Sequence, residues 1–201
     1  MVRVEALVAA AAGGRVRRVV SRPPRVVVTG SESTGKTTLA ARLAAHYGTA
    51  WTPEFARAYV DALARPLARD DVEPIARGQL ASERHAETRA DRLLVLDTDV
   101  LSTLVYGEHY YGHAPEWIEA ALRRHPASLY LLCDVDVPWV PDPQRDRGDA
   151  REEMHALFAA AVRRTGVPSV LIRGDWDQRF RVAVAAVDGL LGAPADLATG
   201  G

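Results

Sequence analysis

The 201-residue chain has one cysteine, no marked excess of either charge and no long apolar run. A single cysteine, Cys133, excludes an intrachain disulfide and a cysteine-based zinc site. It follows the apolar Leu129-Tyr130-Leu131-Leu132, where a buried, inert thiol is expected. With 25 Lys+Arg against 26 Asp+Glu, the formal net charge of -1 provides no broad basic surface for nucleic acid. The local cluster Arg15, Arg17, Arg18, Arg22 and Arg25 reads as a solvated leader. The apolar stretch 7–12, preceded by Glu5, is too short for a signal-peptide core and far too short to span a bilayer. A cytoplasmic protein with neither a membrane nor a nucleic-acid partner is the expectation. Homo-oligomerisation is left open.

Short apolar runs alternate with longer amphipathic ones. Residues 25–29, 93–96, 129–133 and 168–173 are continuous apolar runs, and each ends at glycine or aspartate: Gly30, Asp97, Asp134 and Gly174. Such runs suit strands buried on both faces of a parallel sheet, and 49–52 is a further short candidate. Between them, 39–47, 74–92, 117–124, 149–164 and 175–191 have helical character, with Pro74 and Pro115 near helix starts and Asp149 and Asp175 as caps. Strand alternating with helix predicts a three-layer α/β fold in one domain, 25–191, between an extension at 1–24 and a tail at 192–201. Tyr110-Tyr111-Gly112 reads as a loop, which weakens His109 and His113 as a metal pair.

Gly30-Ser31-Glu32-Ser33-Thr34-Gly35-Lys36-Thr37 matches G-x-x-x-x-G-K-[ST] at every required position, after a strand run and before a helix pattern. In such a loop the glycines allow backbone N–H groups to turn inward around a phosphate at the positive end of the next helix. Lys36 is expected to reach the β- and γ-phosphates, and the Thr37 hydroxyl to ligate Mg²⁺. The ATP-binding set is then Gly30, Ser31, Glu32, Ser33, Thr34, Gly35, Lys36, Thr37 and Thr38. Asp97, ending a buried run, is the candidate metal carboxylate beside Thr37. A guanine-reading Asn/Thr-Lys-x-Asp is missing, since the corresponding stretch is Cys133-Asp134-Val135-Asp136.

Three further clusters bear on an acceptor. Glu54 and Arg57 lie three apart on one side of a helical turn; Glu54 can accept a proton from an alcohol and Arg57 can pair with phosphate, although a surface ion pair accounts for them equally. Asp99, two residues after Asp97, is either a ribose-binding carboxylate or a helix cap. The stretch Asp134-Val135-Asp136-Val137-Pro138-Trp139-Val140-Pro141-Asp142 follows a buried strand, so it should emerge at the carboxyl edge of the sheet. Trp139 among acids, including Asp142, suits a flat cationic ring; Arg145 and Arg147 suit a lid over a transferring phosphoryl group. The competing reading is a rigid proline loop whose tryptophan caps the core.

The P-loop with Glu32-Ser33-Thr34, Glu54-Phe55-Ala56-Arg57, Asp97-Thr98-Asp99 and Pro138-Trp139-Val140-Pro141-Asp142, in this order, resembles the ribosylnicotinamide kinase domain of NadR-type proteins over about 26–174. The resemblance implies a P-loop kinase sheet of five parallel strands with helices on both faces, Mg²⁺-ATP as donor, and a lid carrying arginine. It further implies phosphorylation of nicotinamide riboside on the ribose 5′-hydroxyl to nicotinamide mononucleotide, in NAD salvage. Lys36, Glu54, Asp97 and Arg145 would then be the catalytic set, and Glu54, Arg57, Asp99, Trp139 and Asp142 would bind the substrate. Longer members carry an adenylyltransferase domain; this sequence has no H-x-G-H, so dinucleotide synthesis and repressor activity are not expected of it. A kinase for another nucleoside or small alcohol, and a non-catalytic ATP-binding regulator, are the alternatives.

Overall fold

The computed structural model describes residues 22–63, 65–138 and 150–192. Apart from residues 22–24 and Gly192, the expected extension and tail lie outside them. Five strands, β1 (Arg25–Thr29), β2 (Trp51–Thr52), β3 (Leu94–Asp97), β4 (Leu129–Cys133) and β5 (Ser169–Ile172), form one sheet in the order β2-β3-β1-β4-β5. Every pairing is parallel, with Val28 beside Asp97 and Thr29 beside Leu132. The expected five-stranded parallel sheet covered by helices is the architecture found.

Seven helices connect the strands among the described residues: α1 (Lys36–Tyr47), α2 (Phe55–Ala62), α3 (Val72–Glu87), α4 (Val100–Tyr111), α5 (Trp117–Arg124), α6 (Arg151–Thr165) and α7 (Trp176–Gly192). A single 3-10 turn, Arg69–Asp71, leads into α3. Alternation along the strands divides the interior into two cores. Val26 and Val28 of β1, with Val95 and Leu131, pack against Leu39 and Leu43 of α1 and Ala183 and Val187 of α7. Val27, with Leu96 and Tyr130, packs against Leu80 of α3, Leu101 of α4, Ile118 of α5 and Phe158 of α6. No helix among the described residues is long and apolar enough to cross a membrane.

Helix α1 starts at Lys36, three residues before the expected 39, and two later boundaries also differ from the sequence reading. Helix α3 ends at Glu87, and the remaining residues to Leu93 turn back into β3. The expected loop at Tyr110-Tyr111-Gly112 is instead the last turn of α4 and its cap. There Tyr106 and Tyr110, four apart, stack with centroids 6.1 Å apart, and Gly112 closes the helix in the left-handed region at φ 61°.

The fold determines where a ligand can enter. Neighbouring strands β1 and β3 feed helices on opposite faces, α1 into one core and α4 into the other. Their connections diverge, and the diverging ends open a crevice at the carboxyl edge of the sheet.

Candidate functional site

The loop from Gly30 to Gly35 fills the β1 side of that crevice. Gly30 has φ 133°, and a Cβ there would lie 2.8 Å from the Cys133 carbonyl, so the loop starts pressed against the end of β4. Ser33 is left-handed at φ 53°, and Gly35, also left-handed, serves as N-cap of α1 without a side-chain cap. The first N–H groups of α1 are thus left facing the loop, as phosphate binding at a helix N-terminus requires. The Lys36 ammonium reaches across the loop to donate to the Ser31 carbonyl at 2.8 Å, and the Thr34 hydroxyl donates to the same oxygen at 2.8 Å.

Asp97 stands on the β3 side, 1% exposed. Its carboxylate accepts from the Thr37 hydroxyl and from the Glu54 backbone N–H. Its pKa is raised, chiefly by burial and then by the Glu54 charge; the Lys36 charge and the two hydrogen bonds oppose the rise. Oδ1 of Asp97 is buried without a hydrogen-bond partner. A buried carboxylate oxygen left open beside a threonine hydroxyl fits a hard divalent cation. Among the described residues no three His, Cys, Asp or Glu side chains converge on one point, so ligands from elsewhere would have to complete the coordination of such an ion. Lys36, Thr37, Glu54 and Asp97, the outermost two 61 residues apart in sequence, meet in one place.

Glu54 is the N-cap of α2 but makes no side-chain cap bond. Arg57 sits one turn on, on a helix with no buried residue. Asp99 departs from the ribose-binding role: it is 2% exposed, its Oδ1 accepts from Leu101 N–H at 3.0 Å and its Oδ2 from the Tyr130 hydroxyl at 2.8 Å. Both oxygens are committed inside the protein, and the residue caps α4. Trp139, Asp142 and Arg145, with the cap Asp149, lie outside the described residues.

Two arginines that the sequence reading passed over tie the site together. Arg179 of α7, 2% exposed, donates to the carbonyls of Thr34 at 3.1 Å, Gly174 at 2.9 Å and Asp134 at 3.0 Å, and pairs with the Asp136 carboxylate. Burial alone would raise the Asp136 pKa, but the Gly174 N–H and the Arg179 guanidinium outweigh it and hold the carboxyl below its ordinary value. One side chain thereby joins the P-loop to the exits of β4 and β5. Arg151, first residue of α6, donates to Val137 O at 3.1 Å and Ser33 O at 3.5 Å. A signal for Arg179 was present: it shares a helical stripe with Ala183 and Val187, both buried, so an arginine stood where the pattern calls for an apolar residue.

A family model described as an AAA domain matches residues 25–179. The trifunctional NAD biosynthesis/regulator protein NadR of Escherichia coli (strain K12) is 28% identical over 176 residues, 83% of this chain and 42% of that protein. The chain therefore spans less than half the length of the curated relatives it matches. Among solved structures, a NadR protein in complex with NAD and AMP-PNP is 25% identical with a TM-score of 0.68, covering 86% of this chain and 51% of that one. A thymidylate kinase from Ehrlichia chaffeensis, 15% identical with a TM-score of 0.58, covers 85% of this chain and 100% of its own and shares the fold.

Proposed function

The chain belongs to this AAA domain family, and on that premise we propose that it is an ATP-dependent kinase acting on nicotinamide riboside, with nicotinamide mononucleotide as product. The observation that carries the reading is the meeting of Lys36, Thr37, Asp97 and Glu54 at the mouth of the β1–β3 crevice. A nucleotide-binding loop alone serves many functions; a second carboxylate beside it, on a separate element, is what an acceptor alcohol requires. The reading is further supported by the resemblance to NadR, named for NAD biosynthesis, and by a NadR structure that holds AMP-PNP, an ATP analogue.

Each residue has a distinct part in this reaction. The loop backbone and the α1 N-terminus bind the phosphates, and Lys36 moves from the Ser31 carbonyl to the transferring group to offset its charge. Thr37 and Asp97 would hold Mg²⁺, which when bound neutralises charge between the β- and γ-phosphates. Asp99 is engaged as a cap, so Glu54 is the carboxylate assigned to take the 5′-hydroxyl proton. Arg57 pairs with anionic oxygen, and Trp139 with Asp142 stacks on and balances the cationic pyridinium. Arg145 closes over the phosphoryl group.

The test is a panel of acceptors: nicotinamide riboside, nicotinic acid riboside, adenosine, uridine and thymidine, each with ATP and Mg²⁺, followed by product phosphate. Nicotinamide riboside should show the highest kcat/KM. Preference for a neutral nucleoside would remove the substrate assignment and keep the kinase; transfer to none of them would remove both.

A further inference from the structure

Helix α2, which carries Glu54 and Arg57 at its start, buries none of its residues. Its apolar hold on α3 is partial, the half-buried Phe55 ring resting against Gly78, and polar contacts fix the rest of its first turn. Two backbone donors of that turn are satisfied by side chains from elsewhere. The Glu54 N–H goes to the Asp97 carboxylate, and the Phe55 N–H goes to Gln79 Oε1 at 3.0 Å.

Gln79 lies on α3, 2% exposed, and its carboxamide is used at both ends. While Oε1 takes the Phe55 N–H, Nε2 donates to the Thr98 carbonyl at 3.1 Å and to Glu83 Oε1 at 3.2 Å. Thr98 is the residue between Asp97 and Asp99, and it is held in the left-handed region at φ 67°, which a β-branched residue seldom adopts. Glu83 in turn receives Arg25 at the start of β1 at 2.5 Å, so the amide's third partner is itself anchored to the sheet. One buried carboxamide thus spans the two turns that carry Glu54 and Asp97.

We propose that Gln79 is the positioning residue of this site: it fixes the distance between the proton-accepting turn after β2 and the metal-binding turn after β3. The inference rests on the functional reading above. A carboxamide suits this part because it offers an acceptor and donors in one rigid plane without adding charge beside two carboxylates. A carboxylate in its place would keep the acceptor, lose both donors and repel Glu83. An apolar side chain would leave the part-buried Phe55 N–H without its acceptor and the buried Thr98 carbonyl without the Gln79 donor.

The experiment compares wild type with Gln79→Met, close in length and lacking all three hydrogen bonds, in steady-state kinetics and amide hydrogen exchange. Displacement of the acceptor base by about 1 Å costs on the order of a hundredfold in rate. Gln79→Met should accordingly lose roughly 10- to 100-fold in kcat and raise the KM of the nucleoside, while the KM of ATP changes less than about twofold. The Phe55 amide should exchange at least about tenfold faster, since its opening is no longer tied to α3. A lowered Tm with unchanged kcat per folded molecule would overturn the proposal, and so would unchanged exchange at Phe55. If Gln79→Met does not fold, Gln79→Glu decides: Phe55 should stay protected while turnover drops, and full turnover in that variant overturns the proposal. Wild-type protein that phosphorylates no nucleoside would instead defeat the functional reading, and with it the catalytic part of this one. Faster Phe55 exchange would still uphold the positional part.

Discussion

The two sides of the crevice are built by different means. On the donor side a contiguous loop is pressed onto β4, closed internally through Ser31 and gripped from α7 by a buried arginine. On the proposed acceptor side an eight-residue helix with no buried residue is held by the Phe55 ring against Gly78, by the Asp97 and Gln79 bonds at its start, and by Tyr59 bonded to Asp71 farther on. Asp71 is itself clamped by Arg65 at 2.6 and 2.8 Å. Phosphate is the same in every nucleotide, so its cradle can be rigid; an acceptor must enter, be enclosed and leave, which favours an element with little burial of its own.

The largest test of that contrast removes the donor side's charge. Lys36→Ala should lower transfer roughly 10³-fold while the fold persists, because Lys36 acts on the transferring group rather than packing a core. Near-normal turnover in a folded variant would mean that the loop is not a phosphate cradle.

Next in size is the donor side's rigidity. Arg179→Met should cost about 2–3 kcal/mol of stability, since three backbone carbonyls and the Asp136 carboxylate lose a charged donor at once. Denaturant unfolding reads the loss. The KM of ATP should rise more than that of the nucleoside, and the reverse order would break the contrast drawn above.

A smaller effect should be confined to the acceptor. Trp139→Ala should raise the KM of nicotinamide riboside about thirtyfold, the equivalent of about 2 kcal/mol of cation–π attraction, with little effect on ATP. If Trp139 only caps the core, thermal stability falls and KM stays.

The last test concerns stability alone. Burial pushes the Glu83 carboxyl up to about 7 from an ordinary 4.5, against the pull of Arg25. The folded state then binds more protons than the unfolded chain between these two values, so stability should fall as pH rises through that window. Asp97 and Asp99, also raised by burial, act in the same direction. Asp71, lowered chiefly by Arg65, acts oppositely and only in more acidic solution. Glu83→Gln should flatten the decline between pH 4.5 and 7, measured by urea unfolding across the range. An unaltered slope would show that Glu83 stays ionised beside Arg25.

Legibility follows the same division. The donor loop was readable because its chemistry is contiguous: each glycine, the lysine and the threonine act within eight residues. Asp97 was readable because a buried run ended at it, and the structure sets it beside Thr37. Asp99 could be read as a cap or as a ligand; the Leu101 N–H makes it a cap, and the Tyr130 hydroxyl arriving from β4 takes its other oxygen. The Tyr110-Tyr111-Gly112 turn was misread because a glycine after two aromatics looks like a loop, whereas Tyr106 stacking on Tyr110 extends the helix to its glycine cap.

By itself the sequence determined the parallel sheet, the phosphate loop and the strand-end aspartate, since continuous apolar runs and a short glycine motif act through neighbours in the chain. Tertiary structure decided which polar residues work together. Gln79 and Arg179 show no local pattern that names their partners; they matter because Phe55, Thr98, Thr34 and Asp134 are brought to them from distant segments. A buried polar group must find partners wherever the fold supplies them, and their identity is a property of the packed chain rather than of any window of its sequence.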